Sequence, residues 1–240
     1  MRKTTIVLLV IMALGATSCV IDGFTNTISG NGRVEEESRE ISGFTAVLIS
    51  SGIDVYLSEG DDFEVRVEAD ENLLEVIETK LNGSMLEVGT DNVNIRNAKS
   101  KKVHISLPEL SALRISSAGD CKGQTLFHCD NLDLSVSSAG DLSLEVEASR
   151  IDLDISSSGD VSLAGQAEEF DVSLSSAGDL HAFDLQAGRV KVSVSSAGDA
   201  RVNASEEISM SASSAGNIYY KGEAKVIRSS TSSAGDIVKK

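Results

Sequence analysis

The chain is poor in the residues that build most sugar-binding platforms and most catalytic sites. It has no Trp, one Pro and only 4% aromatic residues, which weighs against a sugar-binding surface built on aromatic stacking. Its histidines, His104, His128 and His181, form no H-x-x-x-H or H-x-H pair, so a zinc site is not expected. Gly-x-Ser-x-Gly, P-loop and dinucleotide-binding motifs are also missing. The sequence predicts a protein that is not an enzyme and has no resident cofactor.

Positive charge is scarce as well. The chain has 21 Lys and Arg against 37 Asp and Glu, and its net charge is −16. Such acidity argues against nucleic acid as a partner and against charge-driven docking on anionic lipid. It also argues against a lyase for acidic polysaccharides, which would need cations to hold its substrate. Because 41% of the residues are hydrophobic, the chain is expected to fold.

A hydrophobic run long enough to cross a bilayer is also missing. The apolar stretch from Ile6 to Leu14 follows a short basic start and ends in small residues before Cys19, which is typical of a secretory signal. The stretch resembles the lipobox of bacterial lipoproteins, in which the cysteine is lipidated, although Ala16 stands where Leu is usual. We therefore expect a signal peptide at 1–18 and a lipidated tether at 19–40. An ordinary signal peptide with a nearby cysteine is the alternative, and both imply export.

What the chain has in abundance is one repeated phrase, Ser-Ser-Ala-Gly-Asp, with small variations. Its glycines are 18 to 21 residues apart, a period typical of a solenoid in which each repeat forms one coil. The seven glycines and the residues that follow them are Gly119 and Asp120, Gly140 and Asp141, Gly159 and Asp160, Gly178 and Asp179, Gly198 and Asp199, Gly216 and Asn217, and Gly235 and Asp236.

Apolar and polar residues alternate on both sides of each glycine, as in Leu132, Leu134 and Val136 before Gly140, and Leu142 and Leu144 after it. This period of two predicts strands with one buried face. A column of small residues predicts a second, tight corner: Cys129, Ala148, Ala167, Ala187, Ser205 and Ala224. We predict an all-β, single-domain parallel β-helix, or β-solenoid, with coils of about 19–20 residues. The usual chirality of parallel crossovers favours a right-handed coil.

Three roles are expected within the repeated phrase. The glycine suits a corner that needs a positive φ. The aspartate accepts hydrogen bonds from corner N–H groups, although Ca²⁺ bound along the Asp row is an alternative because calcium prefers carboxylate oxygens. By parity the second serine points inward, which predicts a ladder of buried hydroxyls between coils.

The chain before the repeats is less regular. We expect the domain to span 41–240, with irregular coils at 41–110 and regular repeats at 111–240. Asn82-Gly83 between β-like runs predicts a hairpin. Asp70 is expected to cap a short helix from Glu71 to Ile77, and 91–102 is interpreted as mainly loop.

Two cysteines lie in the repeat region. Export would permit a disulfide between Cys121 and Cys129. However, Cys121 falls in an inward apolar column and Cys129 in the small-residue column. The sequence leaves a bridge and two buried thiols as alternatives.

Several segments together resemble a known family. They are Phe44 to Leu57, Leu81 to Val88, and Leu107-Pro108-Glu109-Leu110 before the first repeat. In this order they resemble the auto-transporter adhesin head domain called the GIN domain, although Asp54 stands where that name has Asn. The resemblance covers residue 41 to the C-terminus and implies a parallel β-helix-like domain at the cell envelope. It transfers no catalytic or binding residue.

The leading hypothesis is a non-enzymatic envelope lipoprotein, held at the outer membrane by its lipid, with a lateral solenoid surface that contacts an unknown protein or glycan. A carbohydrate-binding or carbohydrate-active β-helix is the second hypothesis. A periplasmic structural or stress protein without an external ligand is the third.

Overall fold

The computed structural model describes residues 26–175 and 177–240. It is a single β-solenoid of about seven turns with coils of about 19 residues. The signal segment and the predicted lipidation site Cys19 lie outside the described residues. Within the described part of the chain, no helix is long and apolar enough to cross a membrane.

The regular part of the solenoid is built from long strands that bend with the coil and pair in parallel with the next coil. Its strands are β11 (Cys121–Val136), β12 (Leu142–Ile155), β13 (Asp160–Leu174), β14 (Asp179–Ser195), β15 (Asp199–Ser213), β16 (Asn217–Lys221), β17 (Lys225–Thr231) and β18 (Asp236–Lys239). Each coil therefore turns between strands at the repeated phrase, which we call the Ser corner, and bends again within the strand.

The predicted apolar columns form the core. Leu142 pairs with Val161, which pairs with Leu180, and all three are buried. Leu153 and Val172 stack in the same way in the column before the Ser corner. One coil cannot bury such a face alone, whereas stacked coils remove every inward side chain from water.

At the small-residue column the strand bends, and the residues that point inward change from even-numbered to odd-numbered positions in β12. In β12 the even-numbered Leu142 to Val146 point inward, and after Ala148 the inward residues are Ile151, Leu153 and Ile155. This alanine corner is confirmed with one correction. Ala204, fully buried, pairs with Ala187, while the predicted Ser205 is exposed and donates its hydroxyl to the Ala187 carbonyl at 3.2 Å.

The conformational reason for the repeated glycine is different from the one expected. Within the described residues no repeat glycine has a positive φ; the positive values fall on the serine or alanine before it, as at Ser138 (75°) and Ser196 (78°). The glycines are needed because coils approach closely. A Cβ on Gly140 would lie 2.5 Å from the Ser117 carbonyl oxygen and 2.7 Å from that of Gly119.

The predicted ladder of buried serines is wrong. The glycine holds the inward position of the Ser corner, while the second serine is exposed at Ser138, Ser196 and Ser214. The positive φ at these serines turns the side chain outward. The prediction assumed that inward and outward side chains alternate through the corner, and this alternation is interrupted there. The hydroxyls that bridge coils bond backbone carbonyls, as Ser137 Oγ does with Ile115 O at 3.3 Å.

The N-terminal half is assembled from shorter strands. They are β1 (Asn26–Ser29), β2 (Val34–Ser38), β3 (Ala46–Ile49), β4 (Asp54–Glu59), β5 (Glu64–Asp70), β6 (Ile77–Asn82), β7 (Met85–Thr90), β8 (Val93–Arg96), β9 (Lys101–Leu107) and β10 (Ala112–Ile115). On one side of the solenoid the sheet continues from β11 through β10, β3 and β7 to β6. On another it continues through β4, β9 and β5 to β2.

Antiparallel strands close this end of the stack. The predicted hairpin is present: β6 and β7 pair antiparallel around Gly83, whose φ is +62°. β5 pairs antiparallel with both β9 and β2. The segment assigned to the tether therefore contains β1 and β2, and the predicted loop at 91–102 contains β8, which pairs with β1.

The predicted helix from Glu71 to Ile77 is replaced by a 3-10 turn at Glu71–Leu73, and Ile77 begins β6. Asp70 makes no side-chain cap. Its carboxylate is fully buried and accepts backbone N–H groups from Gly32 at 2.7 Å, Lys99 at 2.9 Å and Ser100 at 3.0 Å. Burial alone raises the pKa of Asp70, but these donors outweigh it and hold the pKa below its ordinary value.

We expect Gly140→Ala to lower the free energy of unfolding by about 2–3 kcal/mol, because the added methyl group overlaps two carbonyl oxygens. Urea denaturation followed by circular dichroism measures the change. Ala139→Ser is the matched control, since the equivalent position in the next coil is Ser158. Equal stability of the two variants would contradict close approach as the reason for glycine.

We expect Asp70→Asn to lower the free energy of unfolding by about 2 kcal/mol at neutral pH, because three backbone donors lose a charged acceptor. Since the folded pKa lies below the ordinary value near 3.8, this contribution is complete above that value and is lost as pH falls through the folded pKa. Denaturation measured from pH 7 to pH 3 should show the two proteins converging in acid. The exposed Asp91→Asn serves as control, and a constant difference between Asp70→Asn and the wild type would argue against the linkage.

Candidate functional site

The Asp row runs along one edge of the solenoid, as the repeat predicts. Asp160, Asp179, Asp199, Asn217 and Asp236 occupy paired positions in successive coils. The structure adds a member that the sequence analysis missed, because the Asp120 N–H lies 3.5 Å from Asp54 Oδ1. The signal was present in Ser50-Ser51-Gly52, which resembles the Ser corner and stacks beneath it: the Ser51 N–H donates to Ser117 Oγ at 3.0 Å.

Hydrogen bonds between coils explain how these like charges are tolerated. Two of the carboxylates accept the backbone N–H of the next Asp: Asp141 accepts it from Asp160 at 3.3 Å, and Asp179 accepts it from Asp199 at 3.1 Å. The predicted capping is thus present, but between coils instead of within one corner. Asn217 donates its amide to Asp199 Oδ1 at 2.9 Å.

The repulsion is still visible at Asp120. Burial, followed by the charges of Asp141 and Asp54, raises the pKa of its carboxyl group. Across the described residues, no three His, Cys, Asp or Glu side chains converge into a group that could hold a metal ion. The geometry assigns the row a structural part in holding coils together.

Both cysteines are buried free thiols eight residues apart on β11. Cys121 pairs with Leu142 in the first inward column, and Cys129 pairs with Ala148 in the alanine corner. Burial raises the pKa of Cys121 above the ordinary thiol range and that of Cys129 to about 12. Thiols of this kind are poor nucleophiles, because the thiolate is the reactive form.

The scattered histidines stay apart. His104 stacks on Tyr56 with ring centroids 5.2 Å apart, and His181 is exposed on β14. His128 Nδ1 lies 2.8 Å from Glu59 Oε1, and the hydrogen bond to that carboxylate raises the pKa of His128. Tyr219 is half-buried on β16, where Lys240 Nζ lies 4.8 Å from its ring centroid.

A long concave surface lies at the alanine corner. This alanine-corner groove encloses about 510 Å³ and extends over the coils from β12 to β15. Small residues form its floor, and polar side chains flank the floor on both sides. The lining residues are Glu147, Ala148, Gln166, Ala167, Glu168, Gln186, Gly188, Arg189, Ser205 and Glu206.

The backbone register aligns one wall of the groove into a row. Glu147 pairs with Gln166, which pairs with Gln186. Neighbouring members belong to strands about 4.8 Å apart. The row therefore presents a carboxylate and two amides at a regular spacing parallel to the solenoid axis.

Ion pairs order the opposite wall and the strand beside it. Arg189 contacts Glu169 at 2.7 Å and Glu206 at 3.6 Å. Arg150 contacts Glu169 at 2.7 Å, Asp152 at 2.8 Å and Asp171 at 2.5 Å. The hydrogen bond from Arg189 lowers the pKa of Glu169, which keeps the carboxylate charged. Exposed pairs stabilise little one by one, but a shared network fixes the orientation of its side chains.

The sequence analysis missed this groove. It assigned the small-residue column to a tight corner and no function to the polar residues on either side of it. The usable signal was the composition on either side of the small column, where Gln166 and Gln186 stand two places before Glu168 and Gly188. The sequence does not show which of these side chains lie on the same wall, because that depends on register shifts between coils, such as the one between Ser162 and Ala164.

Several solved structures superpose on this one over most of its length. A putative adhesin from Bacteroides fragilis NCTC 9343 superposes with a TM-score of 0.81 at 21% identity, over 89% of this chain and 100% of its own. A putative lipid binding protein from Parabacteroides distasonis ATCC 8503 gives 0.73 at 21% identity, over 90% and 100%. A putative adhesin from Parabacteroides merdae ATCC 43184 gives 0.71 at 20% identity, over 90% and 99%.

At these identities the likeness establishes the fold. Comparison with curated proteins found no match. A model of one protein family matches residues 43–224, which is most of the chain and includes both the irregular coils and all but the last of the repeated phrases. The chain therefore belongs to the family described as putative auto-transporter adhesin, head GIN domain.

Proposed function

We propose that this protein is a non-enzymatic adhesin of the cell envelope that binds an extended partner along the alanine-corner groove. Membership of an adhesin family indicates an exported protein of the cell surface or envelope. The groove is the single observation that supports a lateral binding site, because it extends over several coils and follows the solenoid axis.

The shape of the groove favours a polymer over a small molecule. It is open and shallow, and its floor of alanine and glycine lets a ligand approach the backbone of each coil. A small-molecule site would instead enclose most of its ligand. A ligand that lies along the axis meets the same kind of contact in each coil, so weak contacts add up.

Carbohydrate is the partner class that the lining favours. The Glu147, Gln166 and Gln186 row offers amide and carboxylate groups at regular intervals, and these groups donate to and accept from hydroxyls. The shortage of aromatic residues predicts modest affinity for each sugar unit. The polar walls suit an acyl chain poorly, although one structural neighbour is described as a lipid binding protein.

The second part of the proposal is a lipid anchor at Cys19. The small residues before Cys19 support it, and β1 lies at Asn26–Ser29, so only a short stretch of chain would separate the lipid from this strand. In this arrangement the solenoid is held close to the outer membrane and its lateral surfaces remain accessible.

We expect the native protein to fractionate with membranes and to be lost quickly when sealed cells are treated with protease. A Cys19→Ala variant should fractionate as soluble protein, because no acyl chain holds it. Immunoblotting of cell fractions measures both results. Protection of the native protein until the cells are lysed would contradict surface adhesion and favour the periplasmic alternative.

We expect the double variant Gln166→Ala and Gln186→Ala to bind polysaccharides on a glycan array at least about tenfold more weakly than the wild type, because it loses the central amides of the groove. The matched control is Ser143→Ala with Ser162→Ala, two paired, exposed residues outside the groove. Binding that is equal in both double variants would exclude the groove as the site. If the wild type instead binds only matrix proteins and the groove variant loses this binding, the groove is still the binding site but its ligand is a protein.

A further inference from the structure

The exposed apolar side chains concentrate at the two ends of the solenoid. In the described ranges, the large apolar residues that are exposed are Val34 (37%), Leu81 (47%), Val226 (42%) and Ile227 (50%). Val34 lies on β2 and Leu81 on β6, the last strands at the N-terminal end, and the other two lie on β17 at the opposite end. The long lateral surfaces between the ends carry none.

The free strand edges of the two ends lie on matching sides of the solenoid. One side begins with β17, which pairs with β15, and continues through β11, β10, β3 and β7 to β6. The other begins with β18 and ends through β4, β9 and β5 at β2. A second copy stacked along the same axis would set its β6 against β17 and its β2 against β18.

The C-terminal end is basic on an otherwise acidic molecule. Residues 221–240 contain 5 of the 21 Lys and Arg residues but only 2 of the 37 Asp and Glu residues. Lys225, Arg228 and Lys239 form no ion pair with any residue that the structure describes. Their charges are therefore available to a partner.

The N-terminal end is acidic and concave. A depression of about 380 Å³ lies between the segment that follows β2 and the start of β6. Its lining includes Glu37, Glu40, Glu75 and Glu78, against Arg39 and Lys80, which pair with Glu37 and Glu78. Of these, Glu40 and Glu75 are exposed and take part in no ion pair within the described residues.

We propose that two copies of this chain associate end to end, with the basic β17 edge of one copy docked on the glutamate-lined depression of the next. Val226 and Ile227 would cover Leu81, while Lys225 and Arg228 would meet Glu40 and Glu75. Such a contact is heterologous: each copy keeps one free end of each kind, so it leads to open chains of solenoids. Contact between two C-terminal ends is disfavoured because it brings like charges together.

The test compares two charge reversals in the processed chain, residues 19–240, with Cys19→Ala so that no acyl chain contributes. One variant carries Lys225→Glu and Arg228→Glu, and the other carries Glu40→Lys and Glu75→Lys. The matched control, Lys122→Glu with Lys191→Glu, reverses two exposed lateral charges. Circular dichroism checks the folding, and sedimentation velocity measures the weight-average mass up to about 1 mM protein.

We expect the mass of the wild type and of the lateral control to rise above that of the monomer with concentration, and to fall again at high salt. Each end variant alone should need at least about tenfold more protein to reach the same mass. An equimolar mixture of the two end variants should recover association. In it, the acidic C-terminal end of one variant meets the basic N-terminal end of the other, and the two unchanged ends also carry opposite charges.

Three results would overturn the proposal. A wild type that stays monomeric up to the highest concentration excludes the contact. Association that survives in the Glu40→Lys and Glu75→Lys variant excludes the N-terminal depression as the docking site. A mixture of the end variants that stays as weak as its components shows that these two ends do not meet.

Discussion

The close stacking of backbone at the Ser corner is the constraint on which the rest of the structure depends. Successive coils can pair over their whole length only if the corner is as thin as the strands, about 4.8 Å per coil. A buried glycine satisfies this because a Cβ at Gly140 would meet the carbonyl oxygens of the coil before it. With the corner thin, the strands beside it keep their register from coil to coil, and outward residues at equivalent positions form rows.

Those rows give the molecule its surface chemistry. The stacking that brings Asp141 to the Asp160 N–H also places Gln166 beside Gln186 on another side of the coil, beyond the register shift between Ser162 and Ala164. The polar groups of the two rows differ in their partners. Asp carboxylates accept hydrogen bonds from the backbone of the next coil, which helps to hold the stack together. The glutamines remain exposed at the mouth of the groove.

The sequence was sufficient for the parts of the structure that follow from periodicity. The spacing of Gly119 to Gly235 predicts the solenoid, and the apolar columns predict the core, because both follow from burying one face of a repeated strand. The direction of the serine side chains at the Ser corner, and the reason why it requires glycine, were harder to predict. The parity rule fails at Ser138, where a positive φ turns the chain, and the glycine beside it is required by a neighbour 21 residues away. At Asp70, helix-capping preference was overridden by three backbone donors that only the folded chain brings together.

The order of strands in the N-terminal half also has a kinetic consequence. β10 pairs with β3, and the Ser111 hydroxyl donates to Thr45 across 66 residues of chain, whereas later coils pair with neighbours about 19 residues away. Closing the first contact carries the larger loop entropy, and each later coil adds onto a finished template. A chain that emerges from a membrane N-terminus first must therefore release everything up to β10 before β10 can pair with β3 and the regular coils can begin. From that point the solenoid can grow one coil at a time as the repeats appear.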